Sequence, residues 1–103
     1  MEVVSVGTVT DGTLEVVLRG DIDFTNAAWV RSTVSAAVLD QRPSVVWIEM
    51  SEVAFIDSSG IGVLVDAMKA SAEVGAAFSV RHPTSRVFDQ LRITGLLAAF
   101  GLA

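Results

Sequence analysis

The residues of this chain best suited to chemistry lie in one stretch, Phe55-Ile56-Asp57-Ser58-Ser59-Gly60-Ile61-Gly62, where two hydroxyls and two glycines stand at the start of a helical pattern. A glycine inside a helix costs about 1 kcal/mol relative to alanine, so two of them make sense where something approaches the backbone closely. One reading is structural: Asp57 or Ser58 caps the helix, and Gly60 and Gly62 let it lie tightly against the sheet or a neighbouring loop. The other is an exposed serine on a thinly covered helix start, open to another protein's active site. A nucleophilic serine is not indicated, because the GxSxG elbow needs a glycine two residues before the serine, and Ile56 and Asp57 stand there instead. His82 is the single imidazole in the sequence, and no spacing ties it to Ser58. A lone histidine before Pro83 reads as a surface or strand-edge residue. Gly60-Ile61-Gly62 is too short a match for a nucleotide-phosphate loop, since no GxxxxGK motif accompanies it. Asp21 and Asp23 have the spacing of paired metal ligands, but no further carboxylate or histidine cluster completes a site, so they read as charged turn residues. The expectation is a protein that is not an enzyme and uses no cofactor.

Composition narrows the classes further. At 103 residues the chain predicts one domain over residues 1–103, large enough for a real core. It has no cysteine, so disulfides, thiolate zinc sites and cysteine nucleophiles are excluded. Seven Lys and Arg against twelve Asp and Glu give a net charge of -5, and no basic stripe for nucleic acid is present. The longest apolar stretch, from Gly95 to Ala103, is too short to span a bilayer, which needs about 20 residues. No basic segment precedes an apolar run at the N-terminus, and the expectation is a soluble, cytoplasmic protein with no membrane contact. Yet 51% of residues are apolar and only 18% charged. That excess implies either an unusually complete core or a partly apolar face that meets a partner.

The elements that must position Ser58 follow from periodicity. Val4 and Val6, then Leu14, Val16 and Leu18, alternate on either side of Asp11-Gly12, which predicts a β-hairpin. From Asn26 to Leu39 the period becomes helical, with Ala27, Val30, Val34, Ala37 and Val38 on one stripe and Asn26 or Thr25 as N-cap. Val45-Val46-Trp47-Ile48 predicts a central strand buried on both faces, and Glu49 to Ile56 a connection. From Ser58 a second helix points Ile61, Leu64, Val65, Met68 and Ala72 inward and Gly62, Asp66, Lys69 and Glu73 outward, closing at Gly75. Phe78 and Val80 suggest another strand. Thr84 or Ser85 caps a third helix that sets Val87, Phe88 and Leu91 on the core and stops at Gly95. Trp29 and Trp47 are expected in the core or at its edge. The order predicts an α/β domain: a mixed, mostly parallel sheet of four to five strands with helices packed largely on one side.

Three segments together carry a resemblance. Leu18-Arg19-Gly20-Asp21-Ile22-Asp23-Phe24-Thr25-Asn26-Ala27 after a hairpin, the Asp57-Ser58-Ser59-Gly60-Ile61-Gly62 block after a buried strand, and Ser85-Arg86-Val87-Phe88-Asp89-Gln90-Leu91 near the end resemble the STAS domain family, and in particular the bacterial anti-sigma factor antagonists. The resemblance runs from about Val3 to Phe100 and implies a single STAS-like domain that is itself a substrate. An anti-sigma factor with serine kinase activity would phosphorylate Ser58, and a PP2C-type phosphatase would remove the phosphate. Only the unphosphorylated form would capture the anti-sigma factor and free its sigma factor. Asp23 and Asp57, with Ser58, Ser59, Gly60, Gly62 and Val63, would form the partner-binding face, Asp21 being either a contact or structural, and Ala67 adding an apolar flank. The chain would act as a monomer or weak dimer. The alternative is a scaffold or regulatory STAS subunit of a larger signalling or transport complex, with nucleotide sensing as its variant. The charge argument agrees with a switch, since phosphorylation adds about -1.5 to -2 charges at pH 7. A helix N-terminus tolerates that charge, whereas a docked partner without a matching cation does not.

Overall fold

Val4–Val6 (β1) and Thr13–Ile22 (β2) form the antiparallel pair that their alternation predicts, Val4 opposite Leu18 and Val6 opposite Val16, in a computed structural model that describes residues 2–103. Asp11 and Gly12 both take positive φ, 52° and 80°, and Thr10 and Thr13 exchange two backbone hydrogen bonds of 2.9 Å across them. This is the turn that an Asp-Gly pair favours, because its twist matches that of the strands. The chain continues through α1 (Ala27–Gln41), β3 (Val45–Ile56), α2 (Ser58–Glu73), β4 (Ala77–Arg81) and α3 (Ser85–Thr94). The sheet has the order β1-β2-β3-β4, with β2, β3 and β4 parallel. It is the mixed, mostly parallel, four-stranded sheet that the order of elements predicts.

Two expectations for β3 need correction. Glu49 to Ile56 is no connection: it prolongs the strand to twelve residues, paired with β2 as far as Ile22 opposite Ile56. Its alternation is hidden because register shifts between Val17 and Arg19 and between Gly20 and Asp21 move the buried positions from Met50 to Val53 and Ile56, a spacing of three. Nor is the strand buried on both faces. Val46, Ile48 and Met50 are buried in the core, while Trp47 and Glu49 turn to a face that stays partly open, where the Arg81 guanidinium lies 4.3 Å from the Trp47 ring.

The helices show where periodicity is sufficient and where it is not. α1 buries Ala27, Val30, Val34 and Val38 as expected. α2 is rolled away from expectation: it buries Gly60, Val63, Leu64, Ala67, Ala70 and Ser71, whereas Ile61, Val65 and Met68 are half-buried and Ala72 is exposed. This helix is apolar around much of its circumference, so its pattern sets the roll only coarsely, and a close contact at Gly60 refines it. Ser71 is buried because its hydroxyl donates to the Ala67 carbonyl at 2.8 Å. Gly75, at φ 72°, closes α2 as predicted, with Ala76 N–H donating to the Ser71 carbonyl. α3, capped by the Thr84 hydroxyl, lies against β3 beyond the end of β4 and buries Val87 and Leu91, with Phe88 half-buried. The segment after Gly95 forms helical turns that bury Phe100, whose carbonyl accepts from Val80 N–H at 2.8 Å and so occupies β4's outer edge.

Candidate functional site

β2 and β3 run parallel and end side by side, so the segments leaving them meet. Asp57 alone separates β3 from α2, in extended conformation (φ -102°, ψ -171°). One carboxylate oxygen, Oδ1, accepts the Gly60 N–H at 3.0 Å and caps the helix. The other, Oδ2, accepts the Phe24 N–H at 3.1 Å, and the Asp57 N–H donates to the Ile22 carbonyl at 3.3 Å. Asp57 thus pins the start of α2 to the loop after β2, and Ser58, the first residue of the helix, is held exposed beside that loop. Ser59 is half-buried next to it.

Residues 23–26 are held by their own side chains. Asp23 Oδ1 accepts the Thr25 hydroxyl and the Thr25 N–H, the latter at 3.0 Å. These two bonds, the hydroxyl's first, hold the Asp23 carboxyl below its ordinary range. Asn26 Oδ1 accepts the Asp23 N–H at 3.1 Å, and Asn26 Nδ2 donates to the Asp21 carbonyl at 2.8 Å. Asn26 stands at the N-cap position of α1, as expected, but its side chain makes no cap bond because the loop consumes it. Asp21 itself is exposed.

The glycines divide between the two roles weighed for them. A Cβ at Gly60 would lie 2.4 Å from the Ile22 carbonyl oxygen and 2.5 Å from Ile56 Cγ1. Gly60 is therefore a buried packing residue that lets α2 cross the end of β2, not a thinning of the surface for a partner. A Cβ at Gly62 would meet only the tip of Arg31, with Nη2 at 3.2 Å. Val63 and Ala67, expected as an apolar flank, are each 1% exposed and belong to the core. The apolar surface beside Ser58 is instead Phe24, 79% exposed and carried by the amide that Asp57 binds. Sequence reasoning missed it, although an aromatic between Asp23 and Thr25 that joins no apolar stripe is a readable signal. Trp29, expected in the core or at its edge, is 55% exposed on α1.

The remaining candidates lie elsewhere. His82 is exposed, as expected of a strand end, and its Nδ1 lies 2.8 Å from Glu49 Oε1 rather than near a serine. Asp66, expected on the outward side of α2, pairs through its Oδ2 with Arg31 Nε of α1 at 2.6 Å. Among the described residues, no three His, Cys, Asp or Glu side chains gather where a metal ion could be held, and no helix is long and apolar enough to cross a membrane.

Comparison with known proteins agrees with this geometry. A Thermotoga neapolitana homolog of TM1081, named as an anti-sigma factor antagonist, is 30% identical over 76 residues, which cover 74% of this chain and 67% of that protein. The anti-sigma factor antagonist SpoIIAA in its unphosphorylated form superposes with a TM-score of 0.79 at 22% identity, over 90% of this chain and 81% of its own. SpoIIAA of Bacillus in its phosphorylated form gives 0.68 at 21% identity, over 94% and 86%. A sulfate transporter family protein of Wolinella succinogenes shares the fold as well, with a TM-score of 0.75 at 21% identity, over 92% of this chain and 76% of that one. The STAS domain signature matches residues 6–103, so that the sheet, the one-residue joint at Asp57 and the serine after it are those of a chain that belongs to the STAS domain family.

Proposed function

We propose that this protein is an anti-sigma factor antagonist whose Ser58 is a phosphorylation switch. The unphosphorylated form binds an anti-sigma factor with serine kinase activity and releases the sigma factor it holds; the kinase then modifies Ser58 and binding ends. A PP2C-type phosphatase resets the switch. The protein is a regulator, and the chemistry belongs to its partners. The observation that carries this reading is the exposure of Ser58 at the start of α2, on a backbone immobilised by the two hydrogen bonds to the Asp57 carboxylate. Support comes also from the relatedness to the Thermotoga neapolitana antagonist and from SpoIIAA, whose fold is found in both phosphorylation states.

The physical basis is electrostatic. Asp57 adjoins Ser58 and is hydrogen-bonded to the loop that carries Asp23, so a phosphate there adds about two negative charges to an acidic surface. Buried against a partner without a matching cation, it costs several kcal/mol, and each 1.4 kcal/mol is about tenfold in affinity. Phe24, exposed beside the serine, adds apolar contact area to the same face.

Incubation with the kinase-type anti-sigma factors of the same organism and ATP, followed by peptide mass mapping, is expected to place phosphate on Ser58. Ser58→Ala should retain anti-sigma factor binding, and Ser58→Asp should lose at least tenfold in affinity. Equal binding of the two variants would instead favour a constitutive scaffold, the role suggested by the fold's occurrence in a sulfate transporter family protein.

A further inference from the structure

We infer that Arg31 is the internal partner of the Ser58 phosphate, leaving Asp66 when the serine is modified; this rests on the phosphorylation reading above. Ser58, Gly62 and Asp66 follow one another at intervals of four and lie one above another on a single face of α2. The Arg31 guanidinium reaches that face from α1 and lies along it. Its Nε is 2.6 Å from Asp66 Oδ2, and its Nη2 points at Gly62, 3.2 Å from where a Cβ would stand. Gly62, with no side chain, leaves the path from Asp66 toward Ser58 open, and a rise of about 6 Å, four residues along the helix, separates Gly62 from Ser58.

The competition favours the phosphate. Asp66 offers one negative charge and holds an arginine that is 44% exposed at its side chain. A phosphoserine offers nearly two charges and three acceptor oxygens that suit the planar guanidinium fork. The charges on the neighbouring segments are the adjacent Asp57 carboxylate, which binds the Phe24 amide, Asp23 in that same loop, and Arg86 of α3, whose guanidinium lies 5.3 Å from the ring of Phe55, three residues before Ser58. Arg86 is thereby occupied on an aromatic face, whereas Arg31 has only to change its hydrogen-bonding partner. The exchange leaves Asp66 unpaired at the seam between α1 and α2, so modification alters the charge of that outer surface one helical turn beyond Gly62.

Phosphoserine placed at position 58 during translation by a suppressor tRNA allows a test independent of any kinase. Failure of a kinase to act on Ser58 would therefore leave this result standing, and the reverse also holds. The second ionisation of phosphoserine, near pH 6, is followed by phosphorus NMR in the full chain. Arg31→Ala should raise that pKa by about half a unit, the effect of losing an exposed ion pair. Asp66→Asn should lower it, because the competitor is gone, and Arg86→Ala should move it less than Arg31→Ala does. A phosphate indifferent to Arg31, or more sensitive to Arg86, overturns the pairing; one indifferent to Asp66 overturns the exchange.

Discussion

The two junctions that leave the parallel strands β2 and β3 are neighbours, yet they are built in opposite ways. After β2, the side chains of residues 23–26 are spent locally: Asp23 on Thr25, and Asn26 on Asp23 and on the Asp21 carbonyl at the end of β2. After β3, a single residue spends both carboxylate oxygens on other segments, Gly60 in the helix and Phe24 in the loop. The first junction is a loop braced by its own side chains that presents Phe24; the second is a clamp that depends on its surroundings. The acidic residues of the site therefore differ in role. Asp23 shapes its own loop, and Asp57 fixes how Ser58 stands relative to that loop.

The largest effect expected from breaking this arrangement is at Gly60. Alanine there gains about 1 kcal/mol of helix propensity but drives a methyl group into the Ile22 carbonyl, and a net loss of about 3 kcal/mol is expected from overpacking against backbone. The urea midpoint at constant m-value measures it. Gly62→Ala is the contrast: its one close neighbour is the half-exposed tip of Arg31, which gives way, so stability should rise by up to ~1 kcal/mol.

Next is the clamp itself. Asp57→Ala removes a cap worth about 1 kcal/mol and a charge-assisted bond of similar size to the Phe24 amide, about 2 kcal/mol together. Asp57→Asn sharpens the comparison, because its carbonyl oxygen still caps Gly60 but its amide nitrogen does not accept from Phe24. Hydrogen exchange should then speed up at the Phe24 amide and remain slow at Gly60. Equal acceleration at both amides would mean that the two junctions move as one.

The smallest effect belongs to the loop braced by its own side chains. Because Asp23 titrates lower when folded, the stability it contributes is present above the ordinary aspartate pKa of about 3.9 and is lost as pH falls through its folded value. Thr25→Val, which deletes the hydroxyl that is the largest cause of that lowering, should move the Asp23 carboxyl back up toward the ordinary range in an NMR titration. The Asp57 bonds to Phe24 and Gly60 should be left in place.

Much of this was legible in the chain because it rests on local periodicity. The Asp11-Gly12 turn, the α1 stripe of Val30, Val34 and Val38, and the Asp57 cap each need only near neighbours in sequence. The exposed serine after an aspartate and the resemblance of its block to the STAS domains were legible for the same reason. What tertiary structure alone decided involves segments more than thirty residues apart. Asp57 meets Phe24 and Gly60 meets Ile22 only because β2 and β3 pair in parallel. The final roll of α2 followed from that contact: it took Val63 and Ala67 into the core and brought Asp66 to Arg31. A helix apolar around much of its circumference has its inner face set only coarsely by its own sequence, so the one place where a side chain cannot fit, Gly60 against the Ile22 carbonyl, refines which side is buried and which is left to display Ser58.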